Sequence, residues 1–236
     1  MHSLSRAQLA AAALVVSLTG IAAAQTTAPT TALGKQLSRV TFGISAAGEF
    51  DNTAHGTLIP TGAPNCHPAT PGGPCTTVLT QFGSNTVGAG ATIRYVAKPY
   101  FGLEFNYGFA RYTQNFSPAP DGSSLFQVQN TANEYSLGYV INPPHPIFGF
   151  QPFLALGAGS TEFKPTAGGG QEEPKQARAT YYYNVGLEKQ FGETPFGVRA
   201  SFREIFYLYP DFGQNYLTIK QRGNTYQPTI GFYARF

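Results

Sequence analysis

From residue 38 onward the apolar positions of the chain recur with a period of two, the spacing of a β-strand with one apolar face, and no stretch holds the 3.6-residue period of an amphipathic helix. Val40, Phe42, Ile44, Ala46 and Phe50 share one parity, and Thr41, Gly43, Ser45, Ala47 and Glu49 share the other. The sorting repeats with Val87, Ala89, Ala91, Ile93 and Tyr95 against Gly88, Gly90, Thr92 and Arg94, and with Leu103, Phe105, Tyr107 and Phe109 against Glu104, Asn106, Gly108 and Ala110. Further strands centre on Tyr135 to Ile141, Leu154 to Ala158, Tyr181 to Leu187, Val198 to Phe202 and Ile230 to Phe236.

Eight such strands are predicted, each able to supply the roughly 9–11 tilted residues that cross a bilayer. The connections alternate in length. Residues 51–80, 113–126, 164–178 and 208–222 are long and rich in Gly, Pro, Asn and Asp, whereas 97–100, 142–149 and 190–195 are short. This rhythm predicts an all-β fold, an eight-stranded antiparallel up-and-down transmembrane β-barrel with its long loops outside the cell and its short turns in the periplasm.

The second parity separates a barrel in lipid from one in water. A soluble barrel wets its outer face with Lys, Glu and Asp, but here the second parity is mostly Gly, Ala, Ser, Thr and Asn. Small residues suit a crowded interior, and the Phe, Tyr, Leu and Val opposite them suit hydrocarbon, which cannot satisfy an open sheet edge and so demands closure. Eight strands close around an interior that side chains fill.

Composition agrees. Of 236 residues only 11% are charged, 14% are aromatic and 27 are Gly, well under the roughly 25% charge of an average soluble chain. Mean hydropathy is -0.16, and after residue 24 no apolar run approaches the roughly 20 residues of a spanning helix. A formal charge of +3 with scattered Lys and Arg excludes the basic patch of a nucleic-acid binder.

On this register Glu49, Arg94, Glu104, Glu134, Glu188, Arg199, Arg203 and Arg235 all project inward. Charges in a narrow lumen are costly unless paired and hydrogen-bonded, so an ion-pair cluster is expected. Arg94, Glu104, Glu188, Arg199 and Arg235 belong near the periplasmic end, with Glu134 and Arg203 higher. Such a cluster either fixes register and closure or opens as a gate. Tyr95, Tyr100, Phe101, Phe148, Phe150, Phe191 and Phe196 beside the short turns, and Tyr112, Phe116, Tyr181 and Phe206 near the long loops, are placed for two interfacial girdles.

Arg6, the apolar stretch from Leu9 to Ile21 and Ala22-Ala23-Ala24 before Gln25 form a secretory signal peptide over residues 1–24, cleaved after Ala24. Residues 25–37 read as a disordered leader, and 38–236 as the barrel domain. Cys66 and Cys75 lie in a Pro/Gly-rich segment of an exported chain, which favours a loop-closing disulfide. A metal pair aided by His67 lacks two further ligands, and no metal or cofactor is assigned.

The glycine-aromatic strands, the segment PFLALGAGS (152–160) and the ending QPTIGFYARF resemble the small outer-membrane β-barrel family of the OmpA-like membrane-domain type. The resemblance covers about residues 38–236 and implies a location in the bacterial outer membrane. It also implies that Ile230, Phe232 and Phe236 form the signal read by the barrel assembly machinery. Ala234 is smaller than the bulky residue usual there, and no second domain is expected after Phe236.

Barrel enzymes of this type need a His set with Ser or Asp near the outer rim, whereas His55 and His67 fall in the first long loop and His145 in a turn on the opposite side. The expectation is therefore a non-enzymatic, monomeric barrel in outer-membrane lipid with a structural or surface-interaction role. The alternatives are a narrow gated porin-like channel for small solutes, or adhesin-like recognition of an extracellular ligand by the long loops.

Overall fold

A computed structural model describes residues 31–57, 78–98, 100–118, 126–170, 172–213 and 222–235. A short helix α1 (Ala32–Leu37) precedes ten strands: β1 (Val40–Asp51), β2 (Ala54–Thr57), β3 (Val78–Gly83), β4 (Thr86–Lys98), β5 (Phe101–Pro118), β6 (Phe126–Ile141), β7 (Gln151–Pro165), β8 (Gln176–Gln190), β9 (Phe196–Leu208) and β10 (Arg222–Arg235). All ten belong to one sheet.

The ring closes because β1 pairs antiparallel with both β4 and β10, while β5 pairs with both β4 and β6. β2 and β3 continue β1 and β4 upward in the wall: their pairing keeps the register of β1 with β4, and β3 follows β4 along the upper part of β5. Taken as the upper parts of β1 and β4, they leave eight staves around a closed antiparallel barrel, the number whose interior side chains can fill.

Parity sets the faces. Thr41, Arg94, Glu104, Glu134, Ser136 and Glu188 are buried inside, and Ile44, Val87, Ile93, Leu137, Leu156, Ile230 and Phe232 are exposed outside. Glycine on the inner parity makes room for large rings lying flat on the wall. Gly138, Gly157 and Tyr182 occupy one row across β6, β7 and β8, and a Cβ on either glycine would run into the Tyr182 ring. Gly186 is opposite Phe153, and Gly197 opposite Tyr233, for the same steric reason.

The short turns fall as expected, and Gly192 takes a positive φ of 57° in the turn between β8 and β9, a conformation that costs glycine little. The strands rise further than the apolar pattern indicated. Residues 113–118 continue β5, and β2 and β3 form within the first long connection. Above the lipid a strand no longer needs an apolar outer face, so Gln127, Gln129, Thr131 and Asn133 continue β6 without the alternation that marks its lower half.

Two other expectations differ. The end of the leader read as disordered is helical: Thr31 caps α1 by accepting from the Gly34 amide at 3.1 Å, and Gln36 Oε1 accepts from the Tyr95 hydroxyl at 2.6 Å, docking the helix on β4. Tyr112 and Phe116, placed in a girdle from their closeness to a long loop, are buried inside the barrel. They lie on the parity of Ala110 and Gln114, and that parity faces the lumen. Tyr100, Phe101, Phe148, Phe150, Phe191, Phe196 and Tyr181 are exposed on the outer face or its lower rim. Residues 1–30, Cys66, Cys75, His67 and Phe236 lie outside the described residues.

Candidate functional site

The chemistry-bearing side chains are stacked along the lumen in layers. The lowest is built from two cross-strand pairs, Arg94 opposite Glu104 on β4 and β5, and Glu188 opposite Arg199 on β8 and β9. Arg94 joins them: its Nε and Nη2 donate to Glu104 Oε2 at 3.0 and 2.7 Å, and its Nη1 donates to Glu188 Oε1 at 2.5 Å. Arg199 Nε donates to the same Glu188 oxygen at 2.8 Å. Arg94 and Glu104 are each only 1% exposed, so this is a desolvated network in which every charge needs its partners.

The other Glu104 oxygen accepts from Asn106 Nδ2 at 3.1 Å and from the Tyr182 hydroxyl at 3.0 Å. Phe153 supports the guanidiniums from the side, its ring centroid 4.3 Å from Arg94 and 5.5 Å from Arg199, in the range of a cation–π contact.

A second layer sits higher. Arg203 donates to both oxygens of Glu134, at 2.8 and 2.5 Å, and to Ser136 Oγ at 3.0 Å, with its guanidinium 4.1 Å from the centre of the Tyr182 ring. Gln227 extends the layer, its Oε1 accepting from Arg203 at 3.3 Å and its Nε2 donating to Glu49 at 2.9 and 2.7 Å. Six of the eight inward charges named from the sequence thus meet in ion pairs. Glu49 is held by an amide instead, and Arg235 lies at the periplasmic rim, lining a vestibule of about 610 Å³ with Thr41, Arg94, Lys98, Glu188 and Tyr233.

Inside, a cavity of about 60 Å³ borders Arg199, Arg203 and Asn106, and a second of about 40 Å³ borders Asp51, Tyr112 and Tyr207; Glu49 and Gln227 line both. Spaces of this size hold a few waters at most.

Above the second cavity the lumen is filled by rings. Phe116, Phe163, Tyr207, Tyr209 and Phe212 belong to one buried cluster. Beneath them Asp51 Oδ1 accepts from Thr225 Oγ1 at 2.5 Å and from the Tyr207 hydroxyl at 3.4 Å. The segment 209–213, just past β9, folds inward over the mouth: Pro210 O accepts from Gln81 Nε2 at 2.8 Å, and the amides of Asp211 and Phe212 donate to Gln176 Oε1 at 3.1 and 3.0 Å. The Asp211 carboxylate accepts from Gln176 Nε2 at 2.6 Å and pairs with Arg178 at 3.2 Å.

Sequence reasoning left out Phe153, Gln227, Asp51 and the ring cluster. Large aromatics set on the small-residue parity opposite glycine, such as Tyr182 and Phe153, were the available signal. Glu204 was also missed. It lies on the lipid-facing parity of β9 with Ala200 and Phe202, where its carboxylate accepts from the Tyr183 hydroxyl and, at 2.5 Å, from Asn224 Nδ2. Of the histidines, His55 Nδ1 on β2 is 3.4 Å from Thr80 Oγ1 on β3, and His145 is exposed in the turn between β6 and β7. Ile230 and Phe232 project from β10 on its outer face.

A closed antiparallel barrel with an apolar belt outside and a polar, charged interior defines a membrane-spanning β-barrel protein. Residues 9–236 match the model of the outer membrane protein beta-barrel domain, and the chain belongs to that family. Among solved structures it is similar in fold to Neisserial surface protein A, with 12% identity and a TM-score of 0.50 over 84% of this chain and 97% of that one. The outer membrane protein OprG from Pseudomonas aeruginosa matches with 14% identity and a TM-score of 0.48 over 83% and 95%. No curated protein matches the chain in sequence.

Proposed function

We propose that the chain is a non-enzymatic outer-membrane protein whose work is done at its surface, in a structural or surface-interaction role, and that its lumen does not conduct. The observation that carries this reading is the stack of closures along the axis. The Arg94–Glu104–Glu188–Arg199 layer, the Arg203–Glu134 layer and the ring cluster around Phe116 and Phe212 follow one another, with cavities of about 60 and 40 Å³ between them among the described residues. Moving an ion through would require breaking buried charge pairs, each strongly destabilising to break.

The same reading includes export by residues 1–24 with cleavage after Ala24. It also includes recognition of Ile230, Phe232 and Phe236 by the assembly machinery, and a monomer in the membrane. Single-channel recording and liposome swelling of the purified barrel test it, with Glu104→Ala beside the wild type. Silence in both is expected. Regular conductance steps in the wild type, or solute flux above protein-free vesicles, would overturn the sealed lumen and establish the gated channel instead.

A further inference from the structure

The barrel wall has a window near its extracellular end. Pairing between β8 and β9 stops at Thr180 opposite Tyr207. Above that row, among the described residues, β8 pairs with β7 only, from Ala179 opposite Ser160 up to Gln176 opposite Phe163, and β9 ends at Leu208 opposite Arg222 on β10. The window is bridged again at its top by the contacts of Gln176 and Arg178 with Asp211. Between these limits lies a cavity of about 240 Å³ lined by Arg178, Ala179, Tyr181, Phe206, Leu208 and Arg222, with the edge of Tyr207 at its back.

Two properties define what fits. The cavity is continuous with the lipid-facing surface, because Tyr181 is 63% exposed and Leu208 47% exposed on the outer parity. Among the described residues its lining carries two guanidiniums and no carboxylate; the Arg178 charge is shared with Asp211, whereas Arg222 stands exposed at the open side. Arginine is the side chain best suited to the oxygens of a phosphate, and Tyr at the edge of an apolar belt marks headgroup level.

We infer that this window is a docking site for a phosphorylated acyl lipid of the outer leaflet, its phosphate on Arg222 and Arg178 and the start of an acyl chain along Tyr181, Phe206 and Leu208. The inference concerns the wall and is independent of whether the lumen conducts.

The chain has no Trp, so Leu208→Trp supplies a single reporter inside the window. Folded protein in detergent is titrated with diphosphorylated lipid A carrying brominated acyl chains, with dephosphorylated brominated lipid A, and with inorganic phosphate. Saturable quenching by the diphosphorylated lipid is expected, with an apparent affinity at least tenfold weaker in Leu208→Trp/Arg222→Glu and for the dephosphorylated lipid. Phosphate alone is expected not to compete at the concentration of the lipid. Heat-dependent gel mobility of each variant reports that the barrel is folded. Equal quenching with and without Arg222, or with and without lipid phosphate, would reduce the window to ordinary lipid contact and overturn the proposal. So would full competition by free phosphate, which would mean that the acyl chain plays no part.

Discussion

Tyr182 on β8 and Glu104 on β5 are joined across the lumen, the phenol donating to Glu104 Oε1 at 3.0 Å from a ring that lies flat over Gly138 and Gly157. The bond skips the two strands between them, β6 and β7, so it ties opposite walls together as well as satisfying a carboxylate.

Tyr182→Phe removes one of the donors to Glu104 and is expected to lower unfolding free energy by about 1.5–3 kcal/mol, the scale of a hydrogen bond to a charged group. Gly157→Ala is expected to cost about 1–3 kcal/mol as overpacking, because its methyl meets both the Tyr182 ring and the Leu137 carbonyl. Urea unfolding in lipid vesicles, followed by the loss of heat-dependent gel mobility, measures both.

Arg94 is the shared cation of two carboxylates. Arg94→Met strands Glu104 and reduces Glu188 to Arg199 alone, with an expected loss of about 3–5 kcal/mol as for a broken buried pair. Arg94→Met/Glu104→Gln removes the stranded charge while leaving Glu188 with Arg199. It is expected to recover more than half of that loss in the same unfolding assay, and no recovery would show that the Arg94 contacts to Phe153, not its charge, hold the layer.

The outer window of β8 and the inward segment 209–213 share a latch at Asp211. Burial works to raise the Asp211 carboxyl, but the Gln176 side chain, the Gly213 amide and the Arg178 guanidinium outweigh it and hold the group below its ordinary 3.8. A depressed native value means that the latch contributes fully above the ordinary value and is lost as pH falls through the native one. Pepsin cleavage around Tyr209 and Phe212 is therefore expected to rise steeply as pH drops below 3.8. In Asp211→Asn that steep rise is expected to disappear. Gln176→Ala is expected to expose the segment to chymotrypsin already at neutral pH, with the barrel's gel mobility unchanged.

Glu204 is an acid on the lipid-facing side, tolerated there by Tyr183 and Asn224. Glu204→Gln keeps an acceptor for the Tyr183 hydroxyl and removes a charge that hydrocarbon penalises. It is expected to leave stability unchanged or raise it by up to ~1 kcal/mol, whereas Glu204→Lys, without an acceptor, is expected to lose more than 1 kcal/mol. Vesicle unfolding again reads the difference.

What the sequence made legible follows from where one rule governs each residue. In the lipid belt, a residue such as Ile93 or Arg94 has a single permitted side, so parity alone sorts it and brings Arg94, Glu104, Glu188 and Arg199 to one end of the lumen. Above the belt water accepts either face, and the parity signal fades. There the closeness of Tyr112 and Phe116 to a long loop points to a girdle although they face inward, and the composition of residues 113–118 points to a loop although they are strand. The ring cluster was hidden for a further reason: Tyr209 and Phe212 reach it from a connection whose path depends on the Gln176 and Gln81 side chains, and no periodicity encodes such a contact. Glu49 shows the limit of charge counting, since its partner is the neutral Gln227.

The long β6 carries the outer faces of both environments on one continuous strand. Tyr135, Leu137 and Tyr139 project outward in its lower half, and Gln127, Gln129, Thr131 and Asn133 in its upper half. The change happens within a single pleat of this strand, between Asn133 and Tyr135, and is expected to mark the level at which β6 leaves lipid for water. Spin labels placed singly along these outward positions would read as the marks of a dipstick, with oxygen accessibility falling and water accessibility rising at that step. On β6 the boundary between the two solvents would then lie between two side chains of one face, Asn133 and Tyr135.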